Sequence, residues 1–268
     1  MGRVVSHGPE MSPWEPDRYL AFEKERTLPA RDLVRRIELE WPSRIVDLGC
    51  GTGTSTAVLR ERWPRASIVG IDRSEEMLCR ARASLPTGDW VSADLATWTP
   101  SEPYDLVFSN AALQWIRAPA AVVARLFGFV AEGGALAFQI PIRYARAPGW
   151  DEVLAQVVRR EPWIHRFPTD AREDGCIGME AIYDLLAPRA ARVDLWDTEY
   201  VHVLPDPEAI VEWTRGTGLR PWLERLDDPA EREQFLTEYT AGIASRYPKR
   251  GDGRVLFPFP RRFVIAYR

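Results

Sequence analysis

Three glycines at alternate positions, Gly49, Gly51 and Gly53, follow the apolar run Ile45-Val46-Asp47-Leu48, and a helical pattern opens at Thr54 directly after them. Glycine at a strand-to-helix turn permits φ > 0 and lets a ligand come close without meeting a Cβ. The helix behind such a turn offers unpaired N–H groups to an anion. Asp72, nineteen residues beyond Gly53, closes a second apolar run that starts at Ser67. In a βαβ unit this puts a carboxylate where it accepts hydrogen bonds from the two hydroxyls of a ribose. The dinucleotide fingerprint G-x-G-x-x-G wants its third glycine one place later, where Thr54 stands. A glycine turn alone is also compatible with a plain tight βα connection. The downstream acid and the strands that follow argue for a ligand site.

Open α/β sheets bind ligands at the carboxyl ends of their strands, near the point where strand order reverses. The residues that close each strand are therefore the next candidates. Arg73, beside Asp72, is placed to lie along a sugar. Asp94 and Leu95 follow the third strand, where Asp94 either reaches a ligand or caps the next turn. Asn110 ends the fourth strand and either reaches a ligand or serves the turn Ala111-Ala112-Leu113-Gln114-Trp115.

The elements that must position these residues are legible as alternating patterns. Strands are expected at 44–48, 67–71, 90–93, 104–110 and 135–141, as apolar runs of the kind buried parallel strands show. Helices are expected at 54–63, from Ser74 as N-cap with Glu75 and Glu76 in the first turn, and at 118–130. An earlier helix is read over 29–40, where Leu33, Val34 and Ile37 recur at helical spacing; it either packs on the sheet or caps a site. Past Pro141 the text changes: 142–190 is helix-like, a strand runs over 192–203, and 206–248 reads as helices broken at Gly216-Thr217-Gly218 and at Pro221. The last strand, about 253–267, contains Pro258 and Pro260, which suit an edge or a bulge. The expectation is one α/β domain over 1–268 with a doubly wound, mostly parallel sheet of seven strands. Its core would span 44–141, and segments 12–41, 142–190 and 206–248 would form a helical cover over the ligand cleft, with Gly216 and Gly218 as hinges. Residues 1–11 read as a mobile tail.

Composition narrows the classes. The net charge of −4 comes without any block of like charge, which argues against a nucleic-acid backbone as main partner. No apolar run reaches the length needed to span a bilayer, and the first residues carry no apolar signal core. Cys50, Cys79 and Cys176 show neither metal-ligand spacing nor an even disulfide framework, so no metal is expected and a reducing cytoplasm is the expected setting. The three histidines, His7, His165 and His202, form no evident acid–base pair in the sequence. Oligomeric state is not readable.

The run Val46-Asp47-Leu48-Gly49-Cys50-Gly51-Thr52-Gly53 resembles the first motif of the class I S-adenosylmethionine-dependent methyltransferases, a Rossmann-like fold. The resemblance implies S-adenosyl-L-methionine as cofactor. It implies that Asp47 serves the loop and the cofactor's ammonium end, that Gly49, Cys50, Gly51 and Gly53 line it, and that Asp94 and Leu95 meet the adenine. Over 14–268 the chain is similar, more narrowly, to the bacterial trans-aconitate 2-methyltransferase family. The matching stretches include Trp14-x-Pro16-x-x-Tyr19-Leu20-x-Phe22, Ser109-Asn110-Ala111-x-Leu113-Gln114-Trp115, Tyr200-x-His202, Thr217-Gly218-Leu219-Arg220-Pro221-Trp222-Leu223 and Phe259-Pro260-Arg261-x-Phe263. Ile142-Arg143 departs from the family's Asp-Asn, and 142–182 matches poorly, which leaves the acceptor open.

That family implies methyl transfer to a carboxylate oxygen. A carboxylate is already ionised at pH 7, so no general base is required. A polyacid needs cations for its spectator carboxylates, and Arg offers bidentate geometry. Arg220 and Arg261 are the candidates, with Arg143 behind them, and each has a surface charge as its plain alternative. Tyr19, Gln114, Trp115, His202 and Trp213 are second-rank pocket residues, and core packing is an equal reading for Trp115 and Trp213. Two other functions share the cofactor set: methylation of a natural-product hydroxyl, amine or carbon, and a binding protein that transfers no methyl group.

Overall fold

The computed structural model describes residues 22–116, 118–142, 149–167 and 177–268. Tyr19, Arg143, Cys176 and the tail over 1–11 lie outside the described residues.

Seven strands form one sheet in the order β3-β2-β1-β4-β5-β7-β6. They are β1 (Arg44–Leu48), β2 (Ser67–Asp72), β3 (Asp89–Ser92), β4 (Tyr104–Asn110), β5 (Val130–Pro141), β6 (Arg192–Leu204) and β7 (Val255–Tyr267). The first five pair in parallel, and β7 lies antiparallel on β5. Strand order reverses at the β1–β4 pair, so the ligand end of the sheet falls beyond Leu48 and Asn110.

Helices cover both faces. On one, α1 (Glu23–Arg36) and α2 (Thr54–Arg62) pack Leu33, Ile37, Val58 and Leu59 against Ile45, Leu106, Phe108, Ala137, Phe263 and Ile265. On the other, α4 (Pro119–Phe127) and α6 (Met179–Leu186) meet Val46, Val107, Leu136, Phe138 and Val264. Odd and even residues of each strand divide between the two cores, the period-two alternation of a sheet buried on both faces. Between them in sequence, α3 (Glu75–Ser84) starts as the spacing predicts: Ser74 Oγ accepts from Met77 N at 3.3 Å.

Several boundaries differ from the sequence expectation. Helix α1 begins six residues before Pro29 and stops at Arg36; Pro29 sits inside it, and the charged stretch before it carries no apolar signal. The exit is fixed by Arg62, which donates to the Ile37 carbonyl at 3.1 Å. Gly133 and Gly134 lie within β5 instead of stopping a helix, because two residues along β4 match five along β5 between Tyr104↔Val130 and Leu106↔Ala135. Strand β7 is an interior strand, yet it holds Pro258 and Pro260. The β5 register ends at Pro141↔Arg261, so both prolines lie past it on that side, where a missing N–H breaks no β5–β7 bond.

The chain divides into two compact units. Of the described residues, one unit holds 23–142, 177–202 and 258–268; the other holds Phe22, 149–167 and 203–257. In the second unit α9 (Pro229–Arg246) packs on α5 (Trp150–Val158) and α7 (Pro207–Arg215), with the short α8 (Arg220–Leu223) between α7 and α9 in sequence. Asp206 and Asp228 cap α7 and α9 by accepting from Ala209 N and Ala230 N, each at 2.9 Å. Its aromatic core gathers Trp163, Phe167, Trp222 and Phe235, with ring centroids 5.0–6.4 Å apart. Pro221 opens α8 at its first turn and does not break a helix.

Candidate active site

The loop after β1 is built on positive φ: 72° at Gly49, 55° at Gly51 and 83° at Gly53. A Cβ on Gly49 would stand 2.2 Å from the Ala112 Cβ, so this glycine serves packing between the β1 and β4 loops. Among the described residues a Cβ on Gly51 would meet nothing within 4 Å, which leaves the loop open to a ligand on that side. Gly49 N and Cys50 N donate to the Ile71 carbonyl at 2.8 and 3.0 Å, tying the loop to β2. Cys50 is buried, and burial pushes its thiol well above the usual range, so it lines the loop as an inert neutral group.

Asp47 is fully buried. Its Oδ2 accepts from Ser55 Oγ at 2.7 Å and Thr56 Oγ1 at 2.6 Å, whereas Oδ1 has no hydrogen-bond partner among the described residues. Burial raises its pKa to about 6 against the opposing effect of the two hydroxyls, with the Asp72 charge adding to the rise. A buried oxygen without a donor is costly unless something supplies one. Asp72, half-buried at the end of β2, accepts from Gly51 N at 3.0 Å and Ser74 N at 2.9 Å. Arg73 beside it is exposed. Asp94 is exposed and takes the capping role, its Oδ1 accepting from Ala96 N at 2.8 Å and its carbonyl from Trp98 N at 2.8 Å. Leu95 is half-buried and would approach a Gly49 Cβ to 3.6 Å.

Sheet register continues this set. Asp47 pairs with Phe108 and Phe108 with Ala137; two residues on, Asn110 pairs with Gln139, and two further Pro141 pairs with Arg261. By the alternation of side chains, Asp47, Asn110, Gln139 and Arg261 share the α1/α2 face, just beyond its apolar floor. Gln139 Nε2 donates to Asn110 Oδ1 at 2.6 Å. Gln139 is 1% exposed, and its Oε1 has no hydrogen-bond partner among the described residues. Gln114 Nε2 donates to the Ala111 carbonyl at 2.6 Å, and its buried Oε1 also lacks a partner among the described residues. Ala111 holds a left-handed φ of 53° between them, unusual for a residue with a side chain.

At the far end of the row, Arg261 is 6% exposed and its guanidinium lies 4.5 Å from the Phe259 ring centroid. His202, 7% exposed, has its ring 6.3 Å from both Phe259 and Tyr200. Burial lowers the His202 pKa to about 4, helped by the Arg261 and Arg26 charges and opposed by Glu25. The imidazole is therefore neutral at pH 7.

The sequence candidates divide accordingly. The unit built on the sheet brings together Asp47, the glycine loop, Asp72, Asn110, Gln114, His202 and Arg261. Trp115 stands on the 3-10 turn after β4 and is 48% exposed. Trp213 and Arg220 belong to the other unit. Trp213 is 1% exposed between Phe22 and Phe257, the core-packing reading. Arg220 Nε donates to Glu224 Oε1 at 2.7 Å. Sequence reasoning missed Gln139. The spacing of Gln139 from Asn110 carries no signal until the β4–β5 register is known.

Residues 45–134 match the family model for a methyltransferase domain. The fold also matches the crystal structure of YcgJ from Bacillus subtilis, with a TM-score of 0.57 at 14% identity over 90% of this chain and 98% of that one. The cofactor is S-adenosyl-L-methionine, and the residues present fit it: the open cradle at Gly51 and the partnerless Asp47 Oδ1 sit at one loop. Fold and loop thus define a class I S-adenosylmethionine-dependent methyltransferase. Trans-aconitate 2-methyltransferase of Azoarcus sp. is 47% identical over 96% of this chain and 100% of its own length. The enzyme of that name from Methylobacterium radiotolerans is 46% identical over 96% and 98%. The chain belongs to the trans-aconitate 2-methyltransferase family.

Proposed function

We propose that this enzyme forms a methyl ester on a carboxylate of trans-aconitate or a closely related small polycarboxylic acid. The observation that carries this reading is the row Asp47, Asn110, Gln139, Arg261, which leads along one face of the sheet from the cofactor loop to a buried guanidinium. Relatives matched over 98–100% of their own length bear that substrate in their name.

S-adenosylmethionine, when bound, supplies a methyl group on a positive sulfur, so that a new O–C bond forms as the C–S bond breaks and the sulfur leaves neutral. The chain's part is to bind and to aim. Gly49, Gly51 and Gly53 with Asp47 would hold the amino-acid end of the cofactor, and Asp72 the ribose. Asp94 and Leu95 would face the adenine. Arg261 would hold a spectator carboxylate, because an arginine on the reacting oxygen would reduce its nucleophilicity. In-line placement then supplies much of the rate. Gln139 and Gln114 offer neutral amides near the transfer point, which orient a carboxylate without neutralising it. Each Nε2 carries a second N–H besides the one donated to Asn110 or to the Ala111 carbonyl, and that N–H is the group a carboxylate would accept from.

No base is required, and His202, held near pKa 4, is a poor acceptor for a hydroxyl proton. This disfavours a hydroxyl acceptor. Cys50 and Cys79 are free thiols, which suits a reducing cytoplasm. Among the described residues no helix is long and apolar enough to cross a membrane.

The test is release of S-adenosylhomocysteine with trans-aconitate, beside citrate, cis-aconitate, isocitrate and no acceptor. Turnover on trans-aconitate above the others is the expected result. Cofactor binding with no turnover on any of them would overturn the reading.

A further inference from the structure

Strand β4 ends in a bend held by two glutamines. Ala111 turns the chain there with a left-handed φ of 53°, a conformation disfavoured for a residue with a side chain. Its N–H donates to the Gln139 carbonyl at 3.0 Å, and its own carbonyl accepts from Gln114 Nε2 at 2.6 Å. Strain of this kind persists only where the surroundings over-determine it, and it gathers at functional sites. Here the bend makes Asn110 the last side chain that β4 contributes, at the ligand end of the sheet. The turn lies against the glycine loop, since Ala112 is the residue that a Cβ on Gly49 would strike.

The polarity of Asn110 follows from its partner. Asn110 Oδ1 accepts from Gln139 Nε2 at 2.6 Å, and Gln139 is 1% exposed, so its effect on a ligand passes mainly through Asn110. Asn110 itself is half-buried, and among the described residues nothing accepts from its Nδ2. Exchanging both amides end for end would keep their hydrogen bond, but it would put an NH2 group where the partnerless Gln139 Oε1 now sits. A buried N–H without an acceptor is rarer than a buried carbonyl without a donor. Asn110 therefore turns N–H groups, and no acceptor oxygen, toward the ligand end. Such a group suits an anionic oxygen. An amine or a hydroxyl brings a hydrogen of its own and needs an acceptor in that place.

We propose that Asn110 is the donor that holds the reacting carboxylate, and that Gln139 is the positioning residue that fixes which end of the Asn110 amide faces the site. This deepens the carboxylate reading above and rests on it. One oxygen of the carboxylate accepts from Asn110 Nδ2, and the other is left free to react. A neutral N–H orients the group without removing its charge.

The experiment uses the whole chain as wild type, Asn110→Asp and Gln139→Met. The first variant keeps an oxygen for Gln139 to donate to and removes both N–H groups; the second frees the Asn110 amide to turn and adds no charge. Rates are measured on trans-aconitate, and binding of tricarballylate, a saturated tricarboxylate, by calorimetry in the presence of S-adenosylhomocysteine. Melting temperature controls for folding, and S-adenosylhomocysteine affinity for a contact to the cofactor's own carboxylate. Nitrogen–proton correlation spectra of the S-adenosylhomocysteine complex follow the side-chain NH2 signal that Asn110→Asp removes. In the wild type that signal is expected to shift when tricarballylate binds. Asn110→Asp should lower kcat/KM about tenfold to a hundredfold, the size of a hydrogen bond to a charged group. Gln139→Met should lower it about threefold to tenfold, the size of a neutral one. In both, kcat should share the loss, because the reacting oxygen is no longer held in line; a donor to a spectator carboxylate would raise KM alone and would overturn the proposal. An equal loss of S-adenosylhomocysteine affinity would put the donor on the cofactor and overturn it too. If tricarballylate moves the Asn110 signal but no carboxylate is methylated, the proposed reaction falls and the donor site stands. If trans-aconitate turns over and neither variant differs from the wild type, the donor site falls and the reaction stands.

Discussion

Gly51 donates its N–H to Asp72 Oδ2 at 3.0 Å, so the loop after β1 and the acid that ends β2 hold one another in place. The two glycines on either side of Cys50 should then respond differently to alanine. Gly51→Ala meets no atom within 4 Å but puts a side chain at φ 55°, a cost of about 1–2 kcal/mol. The expected variant folds, melts a few degrees lower, and binds S-adenosylhomocysteine at least about tenfold more weakly, because the new methyl group stands where the loop is open. Gly49→Ala drives its Cβ to 2.2 Å from Ala112 and should lose far more stability. Thermal melts and calorimetric titration of the two proteins separate the effects. Equal affinity loss with equal melting temperatures would contradict the assignment.

Asp47 should show opposite signs for stability and binding. Its pKa is raised from 3.8 to about 6 in the folded protein, so the folded state holds a proton that the unfolded state has released between those values. Stability from this group therefore falls as pH rises through that window, and above pH 6 the protein carries the whole cost of a buried carboxylate. Asp47→Asn does not titrate. Relative to wild type it should gain about 2 kcal/mol between pH 4.5 and 7.5 in urea unfolding without cofactor. At pH 7.5 it should nonetheless bind cofactor more weakly, having lost the anionic Oδ1. A pH-independent stability difference would refute the raised pKa.

His202 works in the other direction. Its folded pKa, about 4, lies below the ordinary 6.5, so the unfolded chain takes up a proton that the folded protein refuses. Its contribution to stability is complete above pH 6.5 and is lost as pH falls toward 4. Between pH 7.5 and 4.5 the wild type should lose about 2–3 kcal/mol more than His202→Asn. Turnover on trans-aconitate should survive His202→Asn within a fewfold, with no new pH dependence between 6 and 8. Near-complete inactivity in a well-folded variant would point to a base and a hydroxyl acceptor.

What the sequence made legible follows from how local each signal is. The strand Tyr104–Asn110 and the Ser74 cap rest on neighbours within a few residues, and both stand where the pattern puts them. The glycine loop is also local, and its three positive φ values follow. Gln139 escaped because its meaning is not local. It joins the candidate site only through its register with Asn110. Trp213 takes the packing side of its two readings, with the Phe22 and Phe257 rings beside it.

Gly216 and Gly218 illustrate the same limit and give the last prediction. Separated in sequence by Thr217 alone, they read as a pair of hinges. Gly216 has φ −73° and open space around a would-be Cβ, so nothing there requires glycine. A Cβ on Gly218 would come within 2.1 Å of the Trp150 ring, so this glycine lets α5 and the segment before α8 pack closely. Gly216→Ala should therefore be neutral or stabilising by about 0.5 kcal/mol, through a less flexible unfolded chain. Gly218→Ala should cost about 1–3 kcal/mol by overpacking, recoverable in part by Trp150→Phe in the same protein. Chemical denaturation of the three variants decides it. If Gly216→Ala instead slowed turnover without changing stability, the hinge reading of that residue would return, and the packing account would apply to Gly218 alone.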